Sequence, residues 1–202
     1  TAIYLENSNT TQISNNNING GSSKGIYANS STYLTISQNQ ITNNSSDGIY
    51  LYQSCSYATI DSNTISSNSS YGIRFNDYNS NSAITNNTIS LNSNRGIYFD
   101  DYNDNVTIQN NTISSNGSYG IYFGYRNYGT IQNNTIAGHN SRGISFNDYN
   151  YGDIIGNLIY NNGNDGIYLQ SVRYGDCEVR NNTINGHTQY GFYWNSWGDG
   201  NS

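Results

Sequence analysis

The chain has no proline and no methionine, only two cysteines and two histidines, and charged residues make up just 10% of its 202 positions. Each shortage narrows the field. Without Met, and with the two histidines well separated, a soft-metal site has few ligands to draw on. The seven Lys and Arg residues form no cluster and the formal net charge is −6. A phosphate backbone finds no track here, which argues against a nucleic-acid partner. No apolar run approaches the ~20 residues of a membrane span. Hydrophobic residues reach only 34%, a mark of disorder when joined to high net charge and few aromatics. Here the low figure comes with 21 tyrosines, and the isoleucines recur in register. The expectation is an ordered repeat with a thin core.

The repeat is explicit. A Gly-Ile-Tyr element occurs at Gly25, Gly48, Gly96, Gly120 and Gly166, with variants at Gly72, Gly143 and Gly191, in steps of 23 to 25 residues. A second element keeps the same step through Ile13, Ile36, Ile60, Ile84, Ile108, Ile131, Ile154 and Val179. A period of this length marks a stacked architecture. Within one repeat, Ile49 and Leu51 alternate with Tyr50, as in a strand with the aliphatics inward. Polar turns then lead to Ile60, to Ile65 and on to Gly72. The pieces are too short for helices and are rich in β-branched residues, so each repeat reads as three strands and three turns. One such coil cannot bury its own apolar edge. Stacking coils ~4.8 Å apart pairs every strand with its equivalents above and below. The predicted fold is all-β, a right-handed parallel β-helix of about eight coils forming one domain over residues 1–202.

Asparagine marks the corners. Asn16, Asn39, Asn63, Asn87, Asn111, Asn134, Asn157 and Asn182 each follow the second-strand apolar residue by three positions. Asn tolerates left-handed backbone and bonds to neighbouring main chain, so it suits a corner. Stacked at strand spacing, its amide can donate to the next Asn and form a ladder. A second column runs through Gly21, Asn44, Asn68, Asn92, Asn116, His139, Asn162 and His187. Both histidines therefore occupy ladder positions instead of standing out as catalytic bases. Cys55 and Cys177 lie five coils apart, ~24 Å by strand spacing, too far to pair.

The pattern Gly-Ile-Tyr-Phe … Ile-x-Asn-Asn-Thr-Ile-x-x-Asn resembles the right-handed β-helix repeat of the pectin-lyase-like superfamily along essentially the whole chain. That resemblance implies the fold. Activity does not follow, because such folds host lyases, hydrolases, epimerases, adhesins and accessory proteins. The polygalacturonase branch's Gly-His-Gly element is missing at Gly138-His139-Asn140 and Gly186-His187-Thr188. An alginate-epimerase Asp-Pro-His-Asp motif requires a proline that the chain lacks. Resemblance to the calcium-dependent lyases directs attention to carboxylates beside a basic residue. Asp77, Asp101 and Asp148 share a column, Asp100 stands beside it, and Arg74 lies outward on the strand of Asp77. Asp77, Asp100 and Asp101 are thus a candidate Ca²⁺ site. The plainer reading is a solvated patch in Asn-Asp-Tyr-Asn turns.

The outward column of the first strand reads Tyr4, Tyr27, Tyr50, Arg74, Tyr98, Tyr122, Ser145, Tyr168 and Tyr193. Such an aromatic strip suits sugar rings, with Tyr50, Arg74, Tyr98 and Tyr122 as the candidate saccharide-binding residues. The column preceding each Gly sets Lys24 over Asp47, Arg95 between Tyr71 and Tyr119, and Arg142 over Asp165, which reads as stabilisation. Asn86, Asn110, Asn133 and Asn181 begin Asn-x-Thr triplets and are candidate glycosylation sites. Thr1 enters in phase with the repeat and no signal peptide precedes it, as expected for a processed product or a piece of something longer. Near-uniform coils without long loops point first to a non-catalytic extracellular or cell-surface solenoid. Its coils would meet those of another copy, head to tail, or further coils of a longer chain, with an uncompleted ninth coil after Gly191. A carbohydrate-binding module and a lyase-like enzyme are the alternatives.

Overall fold

A computed structural model of the chain describes residues 1–172 and 177–195. Its strands form three parallel sheets: nine strands in the first and eight each in the second and third. Every strand pairs with its counterpart one repeat away. Ile73 is in register with Ile97, Ile84 with Ile108, and Ile89 with Ile113. The right-handed β-helix read from the repeat is the fold. Coils are numbered here by their first-sheet strand: coil 1 at Ile3–Glu6, coil 2 at Ile26–Asn29, coil 3 at Ile49–Gln53, coil 4 at Ile73–Asp77, coil 5 at Ile97–Asp101, coil 6 at Ile121–Tyr125, coil 7 at Ile144–Asp148 and coil 8 at Ile167–Gln170. The expected uncompleted ninth coil falls largely on 196–202, outside the described residues.

Coil 5 shows how alternation makes the core. Ile97 and Phe99 from the first strand, Val106 and Ile108 from the second and Ile113 from the third are all buried. Each packs on its own counterparts. Phe75, Phe99, Phe123 and Phe146 run up the inside with centroids 4.7–4.9 Å apart. The repeated glycine beside this core is demanded by close approach. A Cβ on Gly96 would lie 2.7 Å from the carbonyl oxygen of Gly120 and 2.7 Å from Cγ2 of Ile113, closer than packed atoms allow.

The corners obey one rule that sequence reading placed one residue off. The ladder asparagine was expected to adopt the left-handed backbone, but the residue before it does so: Asn110 has φ 57° ahead of Asn111, and Asn86 has φ 57° ahead of Asn87. The left-handed residue turns the chain, and the next side chain then points inward. Asn111 donates from its amide to Oδ1 of Asn134 (3.0 Å) and to the Ile84 carbonyl (2.9 Å). Its own Oδ1 accepts from the backbone and side-chain nitrogens of Asn87. The same pattern runs from Asn16 to Asn182.

The second column behaves likewise from Gly21 to Asn116. His139 then takes over. Its Nδ1 accepts the Asn116 N–H (3.1 Å), and its Nε2 lies 3.2 Å from the Ile113 carbonyl. This fixes the neutral tautomer with the proton on Nε2, so the imidazole imitates an amide. Burial lowers its pKa to about 4, because a charged ring would be desolvated and would turn a second N–H toward the Asn116 donor. His187 repeats the first of these contacts, its Nδ1 accepting the Asn162 N–H at 3.2 Å, while its buried Nε2 has no hydrogen-bond partner among the described residues.

A third ladder was not anticipated. Asn79, Asn103, Asn127 and Asn150 are buried at the first corner. Asn103 and Asn127 donate to Oδ1 of Asn127 and Asn150, at 3.0 and 3.1 Å. Cys55 continues this column, its N–H bonding to Oδ1 of Asn79 at 2.7 Å. The Asn-Asp-Tyr-Asn turns are therefore solvated only in part, since their final Asn is structural. Cys55 and Cys177 are both unpaired, as expected, and burial raises both thiol pKa values, that of Cys177 to about 12. No helix among the described residues is long and apolar enough to cross a membrane.

Candidate functional site

With the corners and interior committed to packing, the most varied chemistry lies on the outer face of the first sheet. Strand alternation puts Tyr50, Arg74, Tyr98 and Tyr122 there, one per coil in register. The row is more enclosed than a surface stripe. Tyr50 is buried, and Arg74, Tyr98 and Tyr122 are partly buried. The cause is cations set against the rings, from the neighbouring column and from the row itself. Arg95 lies over both Tyr98 and Tyr122, at 4.3 and 4.0 Å, while Arg74 lies over Tyr50 at 4.7 Å. Tyr98 and Tyr122 are 5.6 Å apart with tilted rings. Burial raises the phenol pKa values along the row, that of Tyr50 to about 12, against the lowering influence of Arg74. The hydroxyls stay protonated and able to donate. Cation–π contacts of this kind stiffen long side chains that would otherwise be mobile.

The column before each glycine is arranged partly as expected. Arg142 pairs with buried Asp165 (2.8 Å) and lies 3.5 Å above the Tyr168 ring, and Arg95 lies near both Tyr71 and Tyr119. Lys24 differs. Its ammonium sits over Tyr27 and Tyr50, at 5.6 and 5.4 Å, while Asp47 accepts the Tyr71 N–H. Among the described residues the ion pairs are Arg74–Asp100, Arg142–Asp165 and Arg180–Glu178.

Next to the row is a polar relay across two coils. Tyr98 donates to Asp100 Oδ1 at 2.6 Å, Arg74 pairs with Asp100 Oδ2 at 3.1 Å and also reaches Asn76 Oδ1 at 3.3 Å. Asn76 in turn donates to Asp77 at 3.0 Å. Both oxygens of Asp100 are thus engaged by protein. Burial, then the charges of Asp100 and Asp77, raise the Asp101 pKa. Arg74, considered as a base beside Asp77, is instead the partner of Asp100. No group of three or more His, Cys, Asp or Glu side chains is gathered to hold a metal among the described residues, and Asp77, Asp100 and Asp101 do not form such a set. Asn86, Asn110, Asn133 and Asn181 are all exposed, with the Asn86 amide donating to Asp61 Oδ1 at 2.8 Å.

The comparisons agree with this architecture. The family model described as "Right handed beta helix region" matches residues 1–127 and 101–202, and the chain belongs to that family. No curated protein sequence matches the chain. Among solved structures it is similar to the A-module of the Azotobacter vinelandii mannuronan C-5 epimerase AlgE4, at 19% identity and a TM-score of 0.87 over 96% of this chain and 59% of that one. The periplasmic alginate epimerase AlgG matches at 17% identity and a TM-score of 0.70, over 86% of this chain and 47% of that one. PfbA, a surface adhesin of Streptococcus pneumoniae, matches at 13% and 0.63, over 94% of this chain and 62% of that one. The chain spans about half to three-fifths of the length of these proteins. At such identities the likeness is one of fold.

Proposed function

We propose that this chain is a non-catalytic extracellular β-solenoid that binds polysaccharide along the outer face of its first sheet. The observation that carries this reading is the preorganised row of Tyr50, Arg74, Tyr98 and Tyr122. Aromatic faces, protonated hydroxyls and guanidinium groups are held in line there at the coil spacing. Aromatic rings cover the apolar faces of sugars and their hydroxyls bond to the sugar oxygens. The neighbours' names, two alginate epimerases and a surface adhesin, support an extracellular or surface location and a saccharide partner. A non-catalytic role is supported by the histidines, which are neutral members of a ladder, and by Asp100, which is neutralised by Arg74. Isothermal titration with a panel of soluble oligosaccharides tests the reading. Binding lost in Tyr98→Ala at unchanged melting temperature is the expected result, and a panel without a binder removes it.

Two further elements belong to the proposal. Exposed Asn86, Asn110, Asn133 and Asn181 are acceptors for N-linked glycans, which a mass shift reversed by a glycosidase would reveal. The solenoid, taken as one folding unit over residues 1–202, associates end to end through the outermost strands of its first sheet. Light scattering that finds only monomer at high concentration removes this element.

One observation favours an enzymatic alternative: burial first, then the charge of Asp100 and last that of Asp77, raise the Asp101 pKa, so Asp77 and Asp101 lie near enough to interact. Such a carboxylate pair beside Arg74 could bind Ca²⁺ or handle a proton. Ultraviolet absorbance from unsaturated product, with uronate polymers and Ca²⁺ present, would establish that reading in place of the first.

A further inference from the structure

The corner beyond the first sheet carries a second aromatic row that the first reading does not use. At the other two corners the left-handed position is filled almost entirely by Asn, Ser, Gln or Gly, with Leu91 as the one large apolar exception. At the first corner the early coils follow that habit directly after the strand, with Asn7, Ser30 and Ser54, and carry Thr10, Tyr33 and Tyr57 at a second left-handed position three residues further on. Coils 4 to 7 then place Tyr78, Tyr102, Arg126 and Tyr149 at φ values of 58°, 56°, 49° and 57°. Bulky side chains are genuine outliers in this backbone region. Strain of this kind persists where the surrounding structure enforces it and clusters at binding sites. Burial does not explain the choice, because Tyr78 is 57% exposed and Tyr149 42% exposed.

The rings are nevertheless ordered against one another. Tyr78 and Tyr102 stack at 5.3 Å with planes 8° apart. Tyr125 stands edge-on to Tyr102 and Tyr149, at 5.8 and 5.6 Å. Arg126 lies within 6 Å of the Tyr102, Tyr125 and Tyr149 rings, and it forms no ion pair among the described residues. Along the inner side of the row run Asp77, Asp101 and Asp148, the last two in register with Tyr125. Amphipathic rings facing solvent beside acceptor carboxylates are suited to sugars. Rings cover the C–H faces and carboxylates accept from pairs of hydroxyls. Three carboxylates against one guanidinium disfavour a polyanion through like-charge repulsion.

We propose that the first corner of coils 4 to 7 is a second saccharide-binding surface, built by Tyr78, Tyr102, Tyr125 and Tyr149 and selective for a neutral glycan. It is separate from the first-sheet face and does not depend on it. The test uses the whole chain, titrated calorimetrically with cellohexaose, xylohexaose and mannohexaose, with hexagalacturonate as the acidic comparison. The key variant is Tyr102→Asn combined with Tyr149→Asn, because Asn is favoured at left-handed positions and the corner keeps its backbone. At least one neutral probe is expected to bind, to bind at least tenfold more weakly to this variant, and to be unaffected by Thr112→Ala on the third sheet. The variant's melting temperature is expected to equal or exceed the parent's. Failure of every neutral probe overturns the proposal, as does unchanged binding by the double variant. A lowered melting temperature would show the rings to be structural, and loss of parental self-association in sedimentation would show that they cover a second copy. Binding removed by Tyr98→Ala but not by the corner variant would assign the glycan to the first sheet alone.

Discussion

The third sheet and the outer face of the first are built from the same repeat, yet one is monotonous and the other is not. On the third sheet, Thr64, Thr88, Thr112 and Thr135 succeed one another in register between Gln40 and Leu158, and the Asn63, Asn87, Asn111 and Asn134 corner just before them never varies. On the first sheet the outward column changes from Tyr50 to Arg74 to Tyr98, and then to Ser145. A side chain that bonds to its own copy above and below has only one good choice, since each amide must offer a donor and an acceptor at fixed spacing. A side chain facing outward is released from that constraint. Variation therefore marks where the solenoid is free to acquire chemistry.

That contrast can be broken most severely at a corner. Asn111→Leu removes the partners of Asn87 and Asn134 together and leaves buried carbonyl and amide groups unsatisfied. At ~1–3 kcal/mol per group, a loss of about 3–6 kcal/mol is expected in denaturant unfolding. A variant as stable as the parent would mean that the ladder is ornamental.

The next test uses acid. His139 keeps a folded pKa of about 4 against ~6.5 for a free imidazole. The folded state thus favours the neutral ring. The associated stability is complete above pH ~6.5, and it is lost as pH falls toward and through 4, by about 3 kcal/mol. His139→Asn restores the ordinary ladder residue and should flatten this part of the pH profile relative to the parent. Identical profiles for the two proteins would contradict the ladder role of His139. The shift at His187 has the same sign and the same first cause, burial.

Gly96→Ala comes third. Its new methyl would press on Gly120 and Ile113, and overpacking of this kind costs about 1–3 kcal/mol. Smallest should be the effect on stability of Arg74→Ala. It removes cation–π contacts and one partly exposed ion pair, worth about 1 kcal/mol or less in all. The saccharide response should nonetheless fall. A large stability loss there, with binding intact, would make the first-sheet face structural and erase the contrast with the third sheet.

Period, strand positions, the inward isoleucines and two of the three ladders were legible in the amino-acid order, because a solenoid converts a sequence repeat directly into a spatial column. The third ladder was equally periodic, with Asn79, Asn103 and Asn127 separated by 24 residues. Flanking Asp and Tyr made those turns look fully solvated, and only the backbone shows that the residue after each left-handed position turns inward. The same backbone moved the left-handed conformation from Asn111 to Asn110. Partner choice on the outer face was decided by tertiary structure alone. Arg74 lies three residues from Asp77, yet it pairs with Asp100 on the next coil at 3.1 Å. Long, flexible side chains settle by local geometry and charge after the coils have stacked. The repeat therefore specified the column in which each residue stands, and the stacked structure determined which neighbour it holds.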